Sequence, residues 1–365
     1  MSQGIAAEIT ILMTTLNRPE FVVRALNYLA DTEFGGRVLI GDASQADLTG
    51  PTQGAISALR DRIRIDYHHL PGLSGPKTIA KLLALVGTRY TAWIADDDFL
   101  VPATLAQCAQ VLESRPEVSI VHGQGVLVKL KTKGAYGPVQ YTASYVLRDL
   151  NAPSPSKRLL EFLENYYVTV FSLRRTRQMI EAYQDQTNLS DWALTELLPG
   201  CMAALQGNNA QVKSLYLVRQ VHDARYLLSD SYDWLTRPQW QPSYQVFEDR
   251  LTKTLTELEG MTAGDARQVV KQAFWTYLSR SLSRNWKDKY QAPTPSRLRR
   301  WARQVPVMQK AWRAVRDGLD PFSHSALTRS SSPYYGEYLP IYRAMTEGSV
   351  SAKRVAEPLG PEVDA

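Results

Sequence analysis

The chain of 365 residues is 44% hydrophobic and 21% charged, an ordinary globular composition that excludes wholesale disorder. No run reaches 18 uninterrupted apolar residues, so a spanning helix is excluded. Two cysteines, Cys108 and Cys201, are too few for a disulfide framework or a structural zinc site and point to a reduced compartment. The net charge of +6 is uneven: residues 284–316 hold ten basic side chains against one acid, Asp288, a local +9.

Residues 9–13 read as a buried strand. Asn17 and Glu20 have capping-box spacing, with Pro19 in the first turn, and Phe21, Val22, Ala25, Leu26 and Leu29 recur at helical spacing. Strands are expected at 38–40, 63–67, 90–95 and 118–121, and helices at 76–86 and 102–112. The alternation predicts an α/β fold, a mostly parallel sheet with helices on both faces. Its ligand crevice would lie at the carboxyl ends of the strands. After a break at 151–156 come a strand at 168–173, a helix at 191–206 and a strand at 212–218. Helices follow at 244–258 and 266–282. The Ser-, Pro-, Gly- and Glu-rich tail from Ser330 is expected to be loose at its end.

Asp96, Asp97 and Asp98 follow the apolar run YTAWIA. Three adjacent carboxylates repel one another, and burying them without a cation is costly. At a strand's carboxyl end they suit Mg²⁺ or Mn²⁺ shared with substrate phosphates. The alternative is a solvated acidic turn capping the next helix.

Here the sequence resembles the GT-A glycosyltransferases, particularly the family-2-like nucleotide-sugar enzymes. Four segments match in order: ILMTTLNRP at 11–19, IGDAS at 40–44, GLSGPK at 72–77 and ADDDFLVP at 95–102. The likeness is good over residues 8–125, weaker to 225 and absent beyond. It implies a catalytic domain over 1–229 and a helical, basic C-terminal extension over 230–365. It also implies that Thr14, Thr15 and Leu16 hold the nucleotide base, although Leu16 stands where an aromatic is usual. Asp42 would read the base's polar edge, with Gly41 replacing the family's preceding acid. Lys77 takes the cation position, where Arg is usual; its alternative is a solvated lysine at a helix start. The resemblance makes Asp96 a ribose contact, Asp97 the metal ligand and Asp98 a supporting ligand or neighbour.

Asp191-Trp192-Ala193-Leu194 resembles the second half of the family's catalytic-base motif. An acid there can take the acceptor's proton, with Glu196 the runner-up; otherwise Asp191 serves the helix dipole. His222, after the strand-like YLVRQV, would complete the metal site or touch the diphosphate. A satisfied imidazole is the plainer reading.

The implied activity is transfer of a sugar from a nucleoside-diphosphate donor, UDP-sugar favoured, to a hydroxyl of a glycan or lipid-linked acceptor, with inversion. Mn²⁺ or Mg²⁺ would stabilise the leaving diphosphate. In 284–316, basic residues interleaved with Trp286, Trp301 and Trp312 suit an anionic membrane surface, and Pro306 would break a helix there. A face packed on the catalytic domain competes with this. The amino terminus has no leader pattern, so a cytoplasmic protein, peripheral on the inner face of the membrane, is expected. A nucleotidyltransferase is disfavoured because residues 14–19 hold no glycine. Nucleic-acid binding through the basic segment is the non-enzymatic alternative.

Overall fold

The computed structural model describes residues 2–185, 188–222, 231–290 and 320–347. After a short helix α1 (Ser2–Ala6), strand β1 (Ile9–Thr15) forms because an apolar run buried on both faces matches the interior of a parallel sheet. Its odd residues Ile9, Ile11 and Met13 enter one core and Leu12 the other. The first half continues as α2 (Pro19–Asp31), β2 (Arg37–Asp42), α3 (Gly50–Leu59), β3 (Arg64–His69), α4 (Gly75–Leu83), β4 (Tyr90–Ala95), β5 (Phe99–Leu100) and α5 (Pro102–Ser114). The second half has β6 (Val118–Leu130), β7 (Val139–Tyr145), α6 (Pro155–Glu164), β8 (Leu173–Arg175), α7 (Thr176–Tyr183), α8 (Trp192–Gln206) and β9 (Asn208–Gln220). The helices α9 (Ser231–Leu235), α10 (Trp240–Glu259), α11 (Ala263–Tyr290), α12 (His324–Leu327) and α13 (Tyr335–Thr346) follow.

The strands make one sheet in the order β3-β2-β1-β4-β8-β6-β9-β5, with β7 on β6. The long ladders β1–β2, β1–β4, β2–β3 and β6–β9 are parallel. Short antiparallel pairs from β8 to β4 and β6 join the two halves. One core lies under α2, α5 and α13; the other collects α4, α6, α7, α8, α10 and α11. The mostly parallel α/β sheet and the helical C-terminal region are as expected. The described helices after residue 230 share both cores with the sheet.

Three local expectations are corrected. Asn17 does not cap α2: it adopts a left-handed φ of 55°, its side chain accepts from the Gln45 N–H, and its own N–H donates to Ser44 Oγ at 2.7 Å. The residues expected as a strand at 168–173 contribute only Leu173, because β8 runs from there to Arg175. β6 runs on to Leu130, past its expected end at Val121. A Cβ at Gly123 would come within 2.4 Å of the Ser214 carbonyl, so glycine permits the β9 backbone to approach. In the tail that starts at Ser330, Tyr335–Thr346 form α13, whose Tyr338, Ile341 and Met345 are fully buried; the end of the tail, expected to be loose, lies outside the described residues.

Candidate functional site

The parallel register of β1, β2 and β4 aligns their carboxyl ends: Thr15 lies opposite Asp42, and Thr14 opposite Ala95. Asp96, Asp97 and Asp98 therefore leave β4 beside the end of β1, and all three are buried. Each has found partners. The Thr15 hydroxyl donates to Asp96 Oδ2 at 2.6 Å, and Arg18 bridges Asp96 and Asp97, lying 3.2 Å from Asp97 Oδ2. His222, at the end of β9, sets Nε2 2.7 Å from the same Asp97 oxygen. The Asp98 oxygens accept from Arg219 Nε at 2.9 Å and from the Gln220 N–H at 3.0 Å.

Beneath them Arg24 is fully buried between the Phe21 and Phe99 rings and donates to the Asp97 carbonyl at 2.7 Å. Arg219 also donates to the Tyr145 hydroxyl at 3.0 Å. Three carboxylates thus face three guanidiniums. The repulsion that suggested a metal from the sequence is answered by the protein's own cations. Burial pushes Asp96 and Asp98 upward from the usual carboxylate range, against the pull of Arg18 and Arg219 respectively. Burial also works against Asp97, but the His222 hydrogen bond and Arg18 hold it below that range, so Asp97 keeps the charge. Burial lowers Arg24 to about 10.

Among the described residues no three His, Cys, Asp or Glu side chains form a metal-holding group. A smaller donor set does fit a divalent ion. Asp97 Oδ2 and His222 Nε2 converge, and a stand-in cation, one Arg18 nitrogen, lies 3.2 Å from the first and 3.5 Å from the second. The other ring nitrogen of His222, Nδ1, is buried without a partner among the described residues. Mg²⁺ and Mn²⁺ commonly take one or two protein ligands and complete their shell with phosphate and water. Asp98 is turned onto Arg219 and the Gln220 N–H.

At the end of β2, Asp42 is buried and accepts from the Ser44 N–H at 2.8 Å and the Tyr67 hydroxyl at 2.9 Å. The Thr14 hydroxyl accepts from the Trp93 indole at 3.2 Å, and Leu16 is 57% exposed. Gly41 stands where an acid was expected because a Cβ there would lie 2.4 Å from the Thr78 methyl, so β2 and α4 pack too closely for one. Lys77 is exposed on the first turn of α4. That turn adjoins the start of α8: a Cβ at Gly75 would meet the Trp192 ring at 3.0 Å.

Asp191 caps α8. It accepts from the Leu194 N–H at 3.0 Å, and the Trp234 indole reaches its two oxygens at 2.9 and 2.8 Å. It is 4% exposed. Glu196, half-buried on the same helix, accepts from the Tyr166 hydroxyl at 2.8 Å; burial raises its pKa, opposed by that hydrogen bond and by Arg219. The structure therefore gathers Thr15, Asp96, Asp97, Asp98 and His222 directly. The sequence reading missed Arg18, Arg24, Arg219, Tyr67 and Trp234. Arg18 had a signal, since it sits in the NRP turn immediately after β1.

No family model matches the sequence, and no curated protein matches it. Among solved structures the chain is similar to the crystal structure of S. aureus TarS 1-349 in complex with UDP-GlcNAc. The TM-score is 0.50 and the identity 15%, over 86% of this chain and 83% of that one. The complex of TarS 1-349 with UDP scores 0.46 at 13% identity, over 98% of this chain and 94% of that one. The mannosyltransferase PcManGT from Pyrobaculum calidifontis, in complex with GDP-Man and Mn²⁺, scores 0.41 at 10% identity, over 92% and 84%. The first likeness, with the sheet order, identifies a GT-A-type fold.

Proposed function

We propose that this protein is a glycosyltransferase that moves a sugar from a nucleoside-diphosphate donor to a hydroxyl of a glycan or glycoconjugate, with inversion. The observation that carries the reading is the convergence of Asp97 and His222 on a cation position at the carboxyl ends of β1 and β4. It occurs in a fold shared with a UDP-GlcNAc-bound protein. UDP-sugar is favoured as donor, because the Asp42 side chain facing a base would accept the imide N–H that uracil has and that adenine and cytosine lack.

Asp97 and His222 would hold Mn²⁺ or Mg²⁺, with Asp96 turned to the ribose. When bound, such an ion supplies Lewis-acid stabilisation of the charge that develops on the leaving diphosphate. Thr15 and Arg18 orient Asp96; Arg219 and the Gln220 N–H keep Asp98 from crowding Asp97. Asp191 is the proposed base: the Leu194 N–H and Trp234 indole fix its carboxylate, as an orienting partner fixes a general base. Glu196 is the second reading, supported by its raised pKa and half-buried setting. For the acceptor, a lipid-linked glycan at an anionic membrane surface is proposed. Support comes from the basic composition of 284–316 and from Trp286 and Tyr290, both exposed on α11.

The test is a thermal-shift series with UDP, GDP, ADP and CDP, each with and without Mn²⁺, on wild type and Asp97→Asn. UDP with Mn²⁺ should raise the melting temperature most in wild type, since a ligand that binds the native state stabilises it by mass action. Asp97→Asn should lose the metal-dependent part. No shift with any diphosphate, or an unchanged metal response in Asp97→Asn, overturns the proposal.

A further inference from the structure

The three arginines of the acidic cluster are not held alike. Arg24 is clamped between two aromatic rings and donates to the carbonyls of Ala135 and Asp97 and to the Gln220 side chain. Arg219 lies over the Phe171 ring and is tied to Asp98 and Tyr145. Withdrawing either strips backbone or buried acceptors of a donor, which is costly. Arg18 is different. Among the described residues its guanidinium donates only to the Asp96 and Asp97 side chains and lies 5.5 Å from the centre of the Phe21 ring, and its own side chain is 25% exposed. It sits outside α2, directly after the left-handed Asn17. It can therefore swing toward solvent without breaking a backbone contact.

We propose that Arg18 is a displaceable counter-cation that occupies the divalent-ion position and couples ion binding to nucleoside-diphosphate binding. This rests on the donor-site reading above. An ion arriving alone has to expel Arg18 from Asp97, leaving a guanidinium beside a new double charge with only Asp96 to pair. A diphosphate arriving with the ion brings negative oxygens that accept Arg18, which suits a planar fork of donors. Each ligand then tightens the other, and the coupling is reciprocal by thermodynamic necessity.

The experiment titrates Mn²⁺ by electron paramagnetic resonance, with and without UDP, on the full-length wild type, Arg18→Gln and Arg18→Lys. In wild type UDP should tighten Mn²⁺ by about tenfold or more, within the usual range of coupling. In Arg18→Gln, Mn²⁺ alone should bind about tenfold tighter than to wild type, and the enhancement by UDP should shrink by a similar factor, keeping the part that comes from diphosphate oxygens on the ion itself. Arg18→Lys, whose point charge cannot bridge two carboxylates, should fall between them; it decides the matter if the Gln variant does not fold. Mn²⁺ affinity and UDP enhancement in folded variants equal to wild type overturn the role of Arg18 while leaving the donor site standing. A wild type that binds neither Mn²⁺ nor UDP overturns the donor-site reading and this inference with it.

Discussion

Asp191 and Glu196 lie five positions apart at the start of one helix, yet their surroundings differ. Asp191 is a cap as well as the proposed base, so truncating it confuses stability with chemistry. Loss of a capping acid to alanine costs about 0.5–2 kcal/mol, whereas asparagine caps nearly as well. Asp191→Asn should therefore keep the melting temperature near wild type and lower turnover about 100-fold or more with little change in donor affinity. Glu196→Gln should stay within a few-fold of wild type. Steady-state kinetics with an identified acceptor check both, and the reverse pattern moves the role to Glu196. At this scale the acids were legible because three carboxylates after an apolar strand are conspicuous. Their cations were not. Arg24 meets the Asp97 carbonyl across 73 positions and Arg219 meets Asp98 across 121, and neither has a local pattern that separates it from a solvated arginine.

Among the elements, those with clear periodicity were readable and those with mixed composition were not. In α3, GPTQGAISAL, only Thr52 and Leu59 are buried, so no apolar face marks it. In α13, YGEYLPIYRAMT, Gly336, Pro340 and the charged residues hide a real stripe: Tyr338, Ile341 and Met345 stand three and four apart, one helical face. That face docks in the same core as β1 and α2, while Glu337 accepts from the Leu215 N–H at 2.8 Å. Because Ile341 is fully buried, Ile341→Ala should cost about 2–5 kcal/mol, seen as a lower urea midpoint at unchanged slope. A change under about 0.5 kcal/mol, the size of an ordinary surface substitution, would mean that α13 does not dock.

For the molecule as a whole, charge is the property that sequence states most directly. The local +9 over 284–316 and the exposed Trp286 and Tyr290 predict salt-sensitive sedimentation with anionic vesicles and little with neutral ones. Each basic residue near such a surface contributes about 1 kcal/mol, lost as salt screens it. Protein left in the supernatant at low salt would contradict the membrane reading. Of that stretch only Arg284 to Tyr290 belongs to α11; Arg297, Trp301 and Trp312 lie outside the described residues. No helix of the described residues is long and apolar enough to cross a membrane, as the hydropathy pattern requires. By itself the sequence determined the alternation of strands and helices and the acids that follow β4, because periodicity and adjacency are local. Only the tertiary structure decided that the acids are neutralised by arginines, that Asp191 is a cap held by Trp234, and that α13 completes the core. Each of these is a contact between distant segments, paid for by burial that no local pattern records.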